Sequence, residues 1–309
     1  MDILLQQIIN GLILGSVYSM VALGYTMVYG ILQLINFAHG EVLMFGAMVA
    51  LSVISFLELV FPGTPGYLML FFALISAIPT CALLSATIER VAYRPLRKAP
   101  RLAPLITAIG ISIVLQTIAM IIWSPNPKVF PDLLPIETIK IFNAFISPKQ
   151  ILIILTATVS MVMLMFFVMK TNFGRAMRAV SENPEMASLM GISVNKIISI
   201  TFMLGATLAA VAGVLVALNY NYVHFTMGFI LGLKAFTAAV LGGIGNLGGA
   251  VLGGLLLGLI ESLGGGYLGD LTNGFLGSHY QDVLSFVVLI IVLILRPSGI
   301  LGERVSDRS

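Results

Sequence analysis

Long stretches without a charged side chain constrain this protein more than any other feature of its sequence. Residues 102–123, 151–169 and 197–218 contain no Asp, Glu, Lys or Arg, and about 20 apolar residues are enough to cross a bilayer as a helix. Hydrophobic residues make up 59% of the 309 residues and charged residues only 9%, whereas a soluble domain is about one quarter charged. The sequence therefore predicts a polytopic integral membrane protein.

The apolar runs divide the chain into about eight transmembrane spans. We place the spans at 8–32, 36–60, 67–91, 102–123, 150–169, 197–218, a glycine-broken region at 232–263, and 280–295. A tight Pro/Gly turn at 61–66 and a longer, Pro-rich and weakly charged loop at 124–149 separate some of them. Because lipid cannot satisfy backbone polar groups, spans of this length are helices. We expect an all-α fold in which residues 1–309 form a single transmembrane domain.

The single cysteine and the sparse charges exclude several classes of protein. Cys81 lies in an apolar run and rules out an intramolecular disulfide or a Cys-based metal cluster, and we expect no cofactor. The first basic residue is Arg90, so we interpret the N-terminus as the first span rather than a signal peptide. The basic segment 89–101 contains two prolines and lies between spans. This placement favours a cytoplasmic loop over a nucleic-acid-binding segment.

The positions of Lys and Arg predict the orientation in the membrane. They cluster at Arg90, Arg94, Arg97, Lys98 and Arg101, then at Lys170, Arg175, Arg178 and Lys196, and finally at Arg296, Arg304 and Arg308. Short cytoplasmic loops carry an excess of basic residues. All three clusters fall inside if the N-terminus is outside and region 232–263 crosses twice as half-spans or folds as a hairpin. We therefore expect an outer N-terminus and a cytoplasmic C-terminus.

A glycine-rich sequence interrupts one of the later spans. Eight glycines fall within residues 242–258, and small residues recur every fourth position at Gly245, Gly249 and Gly253, and again at Ala250, Gly254 and Gly258. That spacing predicts a helix face that another backbone approaches closely. The residues at the start of this glycine-rich stretch, 242–246, would instead unravel a helix. Irregular backbone at membrane depth must be buried in protein or line water. We expect a half-helix break beside a transport pathway, formed by Gly242, Gly243, Gly245 and Asn246. No Lys-Ser/Thr pair follows the glycines, so a phosphate-binding loop is excluded.

Polar residues also lie between the first two spans, in the sequence "INFAHGE" at 35–41. The candidates are Asn36, His39, Gly40 and Glu41. A metal site is disfavoured, because residues at i and i+2 do not face one another on a helix and the other histidines, His224 and His279, are in predicted outer segments.

Three interpretations of this polar stretch stay open. Asn36, His39 and Glu41 could relay protons, since ionisable groups at membrane depth are functional candidates. The stretch could instead be a turn at the cytoplasmic interface. The third interpretation is a broken helix beside a substrate path, in which Gly40 makes the bend and Asn36 and His39 bond the freed backbone groups. Paired with the break at 242–246, it would form a pseudo-inverted repeat. Near the second break, Lys234 and Glu261 are interpreted as interface charges.

The sequence predicts a short helix within segment 170–196. Asn183 is a good N-cap, Pro184 suits the first helical position, and Gly191 can end the helix in the left-handed conformation. The residues between them predict a helix of about seven residues with Met186, Leu189 and Met190 on one face. So short a helix needs tertiary support. We expect this face to lie on the membrane surface or to dock into a cytoplasmic partner.

This segment carries a resemblance to a known family. The pattern Glu185-Met186-Ala187-x-x-x-Gly191 resembles the EAA-x-x-x-G loop of ABC importer permeases, which inserts into the ATPase subunit. Met186 replaces the first Ala, and no Ile-x-Leu-Pro follows Gly191. Five further segments are similar to branched-chain amino-acid ABC transporter permeases of the shorter, H type: "GYTMVYGILQLINFAHGEVLMFGA" (24–47), "IERVAYRPLR" (88–97), "MASLMGI" (186–192), "KAFTAAVLGGIGNLGGAVLGG" (234–254) and "RPSGILG" (296–302).

The resemblance implies a channel-forming subunit in the bacterial inner membrane, with its N-terminus in the periplasm. It implies a longer permease of the same family as partner, two cytoplasmic ATPases and a periplasmic binding protein that delivers Leu, Ile or Val. It also implies ATPase-coupling residues at Glu182, Pro184, Glu185, Met186, Ala187, Leu189 and Gly191. The chain has no G-x-x-x-x-G-K-S/T sequence, so we expect a transport subunit and not an enzyme. Two alternatives stay open: a permease for urea or short amides, and a stand-alone proton-coupled carrier.

Overall fold

The computed structural model is almost entirely helical and describes residues 2–97, 99–100, 102–135, 137–141, 144–272 and 280–302. The described helices are α1 (Asp2–Leu32), α2 (His39–Val60), α3 (Gly66–Ile88), α4 (Leu102–Trp123), α5 (Pro148–Lys170), α6 (Asn172–Glu182), α7 (Pro184–Leu189), α8 (Val194–Tyr220), α9 (Met227–Gly242), α10 (Leu247–Leu271) and α11 (Gln281–Leu295). A π-helical turn (Glu89–Tyr93) and a 3₁₀ turn (Arg94–Leu96) continue α3. The all-α prediction is confirmed.

Seven of the described helical stretches are long and apolar enough to cross a membrane, and α9 and α11 are shorter apolar helices. The predicted spans correspond to α1–α5, α8 and α11, while region 232–263 becomes the pair α9 and α10. The two helices of this pair run antiparallel, because Lys234 of α9 bonds Glu261 of α10 while Gly242 lies beside Gly249. Region 232–263 is therefore an antiparallel helix pair in place of one glycine-broken span, and α10 is the member of the pair that is long and apolar enough to cross a membrane.

Four short strands lie in the connections: β1 (Lys128–Val129), β2 (Ile139–Ile141), β3 (Ala144–Ile146) and β4 (Tyr222–Val223). β1 pairs antiparallel with β4, which follows α8, and β2 pairs antiparallel with β3. The loop at 124–149 is thus tied to the end of α8. Its last residue before α5, Ser147, forms a capping box with Gln150.

Helices α1 and α8 are the most enclosed of the spans. α1 packs on α10 through small residues, as the spacing of glycines predicted. A Cβ atom at Gly258 would lie 2.2 Å from the Gly15 nitrogen, and one at Gly254 would lie 2.4 Å from the Ser19 hydroxyl. Backbones in this contact approach as closely as small residues allow, which is the usual basis of helix association in lipid.

Helices α4 and α5 form the periphery and have the lowest buried fraction of the seven candidate spans. α4 exposes Ile106, Ile113 and Ile121 along its length. An apolar surface of this extent is unusual on a soluble monomer but matches the hydrocarbon of a bilayer.

Candidate functional site

The chain turns sharply between α1 and α2. α1 ends at Leu32, and Gln33 adopts a left-handed conformation with φ of 51°. The bend predicted at Gly40 is wrong, because Gly40 lies in the first turn of α2. Its lack of a side chain serves packing instead. A Cβ atom at Gly40 would lie 2.3 Å from the carbonyl oxygen of Gly228, so the backbones of α2 and α9 are in contact here.

Glu41 is fully buried between α2 and α4. Its Oε1 atom accepts hydrogen bonds from the Ser112 hydroxyl and the Gln116 amide, both at 2.8 Å. Its Oε2 atom has no partner among the described residues. Ser112 and Gln116 lie near the middle of α4, so the carboxyl group is level with the middle of that span, although Glu41 itself lies in the first turn of α2. This level argues against the interpretation of the stretch as an interfacial turn.

His39 is enclosed by three helices. Its ring meets the Tyr25 ring edge-on at 4.9 Å between centroids, and it packs on Gly24 of α1 and Gly205 of α8. The Nε2 atom finds no hydrogen-bond partner within the part of the chain that the structure describes. Asn36 is held separately, since its Oδ1 atom accepts a 2.8 Å hydrogen bond from the Tyr93 hydroxyl. Among the described residues, no hydrogen bond joins the side chain of Asn36 or His39 to a freed backbone group, contrary to the expectation for a broken helix.

The second break lies at residues 243–246, between α9 and α10. Gly243 and Gly245 have φ values of 107° and 100°, which residues with a Cβ atom rarely adopt. Asn246 caps α10, because its Oδ1 atom accepts from the Gly249 N–H at 3.0 Å. The predicted interruption of the helix is therefore confirmed.

The segment after α11 donates hydrogen bonds to backbone carbonyl groups at the break between α9 and α10. The Ile300 and Leu301 N–H groups donate to the carbonyl oxygens of Leu241 and Gly242, at 3.0 and 2.9 Å. The Asn246 amide in turn donates to the Leu301 carbonyl at 3.0 Å. The sequence analysis did not anticipate this contact, although "RPSGILG" was one of the segments that carried the resemblance.

Lys234 and Glu261 form a buried ion pair between α9 and α10, and their interpretation as interface charges stays a prediction. The Lys234 ammonium lies 2.7 Å from Glu261 Oε1 and 2.7 Å from Asp282 Oδ1. The Tyr18 hydroxyl donates to Glu261 Oε2 at 3.0 Å. Four helices, α1, α9, α10 and α11, each contribute one side chain. Burial strengthens such contacts and also makes the loss of one partner costly.

The predicted short helix in segment 170–196 is confirmed as α7. The Asn183 Oδ1 atom accepts from the Glu185 and Met186 N–H groups, both at 3.0 Å. Gly191 has φ of 82°, and its N–H donates to Ser188. The Ile192 N–H donates to Ala187, which completes a Schellman ending.

The apolar face of α7 points away from the bundle. Met186 is 59% exposed, Leu189 82% and Met190 81%, whereas Ala187 is buried against the rest of the chain. Glu182 ends the preceding helix, α6, on the exposed side. Large exposed apolar side chains on one short, fully capped helix are typical of an interaction site.

A polar cluster links the residues that follow α3 to the first residues of α8, the helix after segment 170–196. Glu89 is fully buried and accepts from the guanidinium of Arg97 and the hydroxyl of Ser199. Arg97 also donates to Asn195 at 2.7 Å. Burial lowers the pKa of the Arg97 guanidinium from its ordinary value, against the opposing effect of Glu89. Sequence reasoning assigned Arg97 only a topological role and missed this cluster.

The two predicted path segments occupy different ends of α9. Gly40 contacts Gly228 at its start, and the break follows its last residue, Gly242. These ends are about 21 Å apart at 1.5 Å per residue. A cavity of about 650 Å³ is lined by Gly245 and Asn246, together with Gln33, but not by residues 36–41. The sequence analysis also used Lys98, Arg101, His279, Arg304 and Arg308, which lie outside the described residues.

Comparison with known proteins agrees with these observations. Residues 7–293 match the family described as "Branched-chain amino acid transport system / permease component". The chain is 46% identical over 304 residues to the high-affinity branched-chain amino acid transport system permease protein BraD of Pseudomonas aeruginosa, covering 97% of this chain and 96% of BraD. It is 43% identical over 303 residues to the corresponding protein LivH of Escherichia coli, with coverage of 97% and 96%.

Among solved structures, a chain of PsaBC from Streptococcus pneumoniae in complex with Fab is similar at 15% sequence identity and a TM-score of 0.48, covering 95% of this chain and 91% of that chain. The family match spans nearly all of the helices described above, and the two relatives align over almost their whole length. The protein belongs to the family of branched-chain amino acid transport system permease components.

Proposed function

We propose that this protein is the inner-membrane permease subunit of an ABC importer for branched-chain amino acids, and that separate ATPase subunits power it. Its relatives BraD and LivH are named as permeases of high-affinity branched-chain amino acid transport systems. The observation that carries the proposal within the structure is α7, a capped helix whose apolar face has no covering element among the described residues.

In this proposal α7 docks into a cleft of the ATPase, and Glu182, Pro184, Glu185, Met186, Ala187, Leu189 and Gly191 form the coupling element. Met and Leu side chains suit such a surface because they adapt to the shape of a partner. Segment 170–196 leads into α8 and lies beside the Glu89–Arg97 cluster at the base of α3. Movement of α7 would therefore reach the centre of the bundle through α8, which packs against α1, α2 and α3.

The residues proposed for the translocation path are Asn36, His39, Gly40, Glu41, Gly242, Gly243, Gly245 and Asn246. Two observations support this role. Buried Glu41 and His39 each keep one side-chain atom without a partner among the described residues, and Gly245 and Asn246 line a cavity. Buried polar atoms without partners are rare, and they cluster at functional sites. In this mechanism the first segment lies closed at mid-level, and the second borders the opening beside the coupling segment.

The assembly follows from the same proposal. This single-domain permease would pair with a longer permease of the family, bind two cytoplasmic ATPases and receive substrate from a periplasmic binding protein. The N-terminus would lie in the periplasm and the C-terminus in the cytoplasm, so that α6, α7 and the break at 243–246 face the cytoplasm.

Variants of α7 test the coupling role. We expect Glu185→Lys and Gly191→Pro to abolish uptake of radiolabelled leucine in cells, because the first reverses a charge at the helix start and the second cannot adopt the left-handed φ of Gly191. Leu189→Asp should lower uptake at least about tenfold by placing a charge in the apolar contact, whereas Leu189→Met should retain it. Membrane fractions checked by immunoblot control for insertion. Normal uptake in both Glu185→Lys and Gly191→Pro would refute the coupling assignment.

A further inference from the structure

A cavity of about 650 Å³ opens between the end of α1, the end of α5, helix α6 and the start of α10. Its volume falls within the range of small-molecule sites in proteins, roughly 300–1,000 Å³. Because α6 immediately precedes α7, the cavity lies on the side of the molecule that carries the coupling segment.

The electrostatic character of the cavity favours an anion. No Asp or Glu occurs among its lining residues, and Arg178 is its one cationic side chain. The Arg178 guanidinium donates to the carbonyl oxygen of Val168 at 2.7 Å, and no carboxylate pairs with it among the described residues. Leu247 and Gly248, the first residues of α10, also line the cavity. The N-terminus of this 25-residue helix adds partial positive charge and free N–H groups.

Thr26 provides an independent observation at the same cavity. It lines the cavity from α1 and is 1% exposed. Its hydroxyl has no hydrogen-bond partner in the described part of the protein, although Thr in a helix commonly bonds the carbonyl of the preceding turn. A buried hydroxyl without a partner costs free energy. A ligand that supplied a partner would recover this cost.

Much of the remaining wall of the cavity is apolar. Its apolar side chains include Met27, Ile31, Met169, Met177, Ile244 and Leu247. Tyr29 and Gln33 add oxygen atoms that can accept hydrogen bonds. An anionic group, a hydrogen-bond donor and a branched aliphatic chain on one small molecule would match these three kinds of surface.

We propose that this cavity is a release-side binding site for an aliphatic α-amino acid. The carboxylate would bind Arg178 and the α10 N-terminus, and the aliphatic side chain would lie on the methionine-rich wall. The Thr26 hydroxyl, which is closed off from the cavity in this structure, would turn to donate to the carboxylate. Tyr29 and Gln33 would accept from the ammonium group. This site rests on the proposed function and specifies where that substrate binds on its way out.

The test is direct binding of tritiated leucine to the assembled transporter in nanodiscs without the periplasmic binding protein. We expect saturable binding that excess leucine displaces and leucinamide, which lacks the carboxylate, does not. Arg178→Gln should weaken binding about tenfold and Thr26→Val about fivefold. Thr26→Val should leave the melting temperature without leucine unchanged or higher, because the lost hydroxyl has no protein partner. Arg175→Gln on the same helix is the matched control; Arg175 bonds Asn172 and does not line the cavity.

Three results would overturn the site: equal displacement by leucinamide, unchanged affinity in Arg178→Gln, or Arg178-dependent retention of phosphatidylglycerol with no leucine binding. The last result would identify an anionic lipid headgroup as the occupant. ATP-driven leucine uptake by the same preparations, with the binding protein added, separates the two proposals. Uptake without binding at the cavity rejects only the site, whereas absence of uptake in the unmodified transporter rejects the proposed function.

Discussion

At the scale of residues, polar side chains inside the bundle are held by partners from distant parts of the chain. Glu41 bonds Ser112 and Gln116 of α4, and Asn36 bonds Tyr93 after α3. The polar residues themselves could be selected from the sequence because they interrupt apolar runs. Their partners could not, because the pairing depends on how separate spans pack, and several orientations of each helix satisfy the same apolar pattern.

His39 tests whether this region is structural or moves protons. His39→Ala removes the ring that fills the space between Gly24, Gly205 and Tyr25, and an unfilled space in a packed core is destabilising. We expect initial uptake of leucine to fall several-fold while the remaining uptake keeps its pH profile. His224→Ala, in the connection between α8 and α9, is the control with a smaller effect. Loss of the pH dependence in His39→Ala would restore the proton relay.

Lys234 tests the buried ion cluster. Lys234→Met leaves the Glu261 and Asp282 carboxylates without their cation, which should lower stability by about 3–5 kcal/mol. Combining it with Glu261→Gln should restore most of the loss, since Asp282 is partly exposed and can be hydrated. Thermal unfolding in detergent, followed by size-exclusion chromatography, measures both variants. Equal melting temperatures for Lys234→Met and the unmodified protein would show that the cluster does not stabilise the bundle.

At the scale of elements, features that depend on neighbouring residues could be predicted from the sequence, whereas contacts between distant parts of the chain could not. The boundaries of α4 and the caps of α7 could be predicted because charge-free length, Asn183 and Gly191 act within a few residues. The closure of the break at 243–246 by Ile300 and Leu301 could not, because the donors lie more than fifty residues further along the chain. Gly40 shows a related failure. A glycine next to polar residues suggested a bend, but it marks a close contact with α9.

The α1–α10 contact gives a matched pair of glycine substitutions. Gly258→Ala places a methyl group 2.2 Å from the Gly15 nitrogen, so we expect a loss of about 1–3 kcal/mol in stability from overpacking. Gly110→Ala in peripheral α4 meets nothing within 4 Å and should be neutral or stabilising, because Ala favours helix more than Gly does. Thermal unfolding of both variants provides the comparison. Similar stability of the two would contradict the close backbone contact.

At the scale of the whole molecule, α1 and α8 form the enclosed centre of the bundle. α8 begins at the end of segment 170–196, the proposed coupling segment. The composition predicted the membrane bundle because 59% hydrophobic residues exclude a soluble fold. It could not indicate which helices lie at the centre, since the enclosed α8 and the peripheral α4 are similarly apolar. Burial in this bundle depends on small residues, not on hydropathy.

Reconstitution tests the central claim, that this permease depends on separate ATPases, most directly. The protein is placed in proteoliposomes either alone or with the proposed second permease, ATPases and binding protein, and accumulation of radiolabelled leucine is measured. We predict that only the complete system accumulates leucine, that it requires ATP, and that a pH gradient does not replace ATP. Accumulation by this protein alone, driven by a pH gradient without ATPase, would contradict the account.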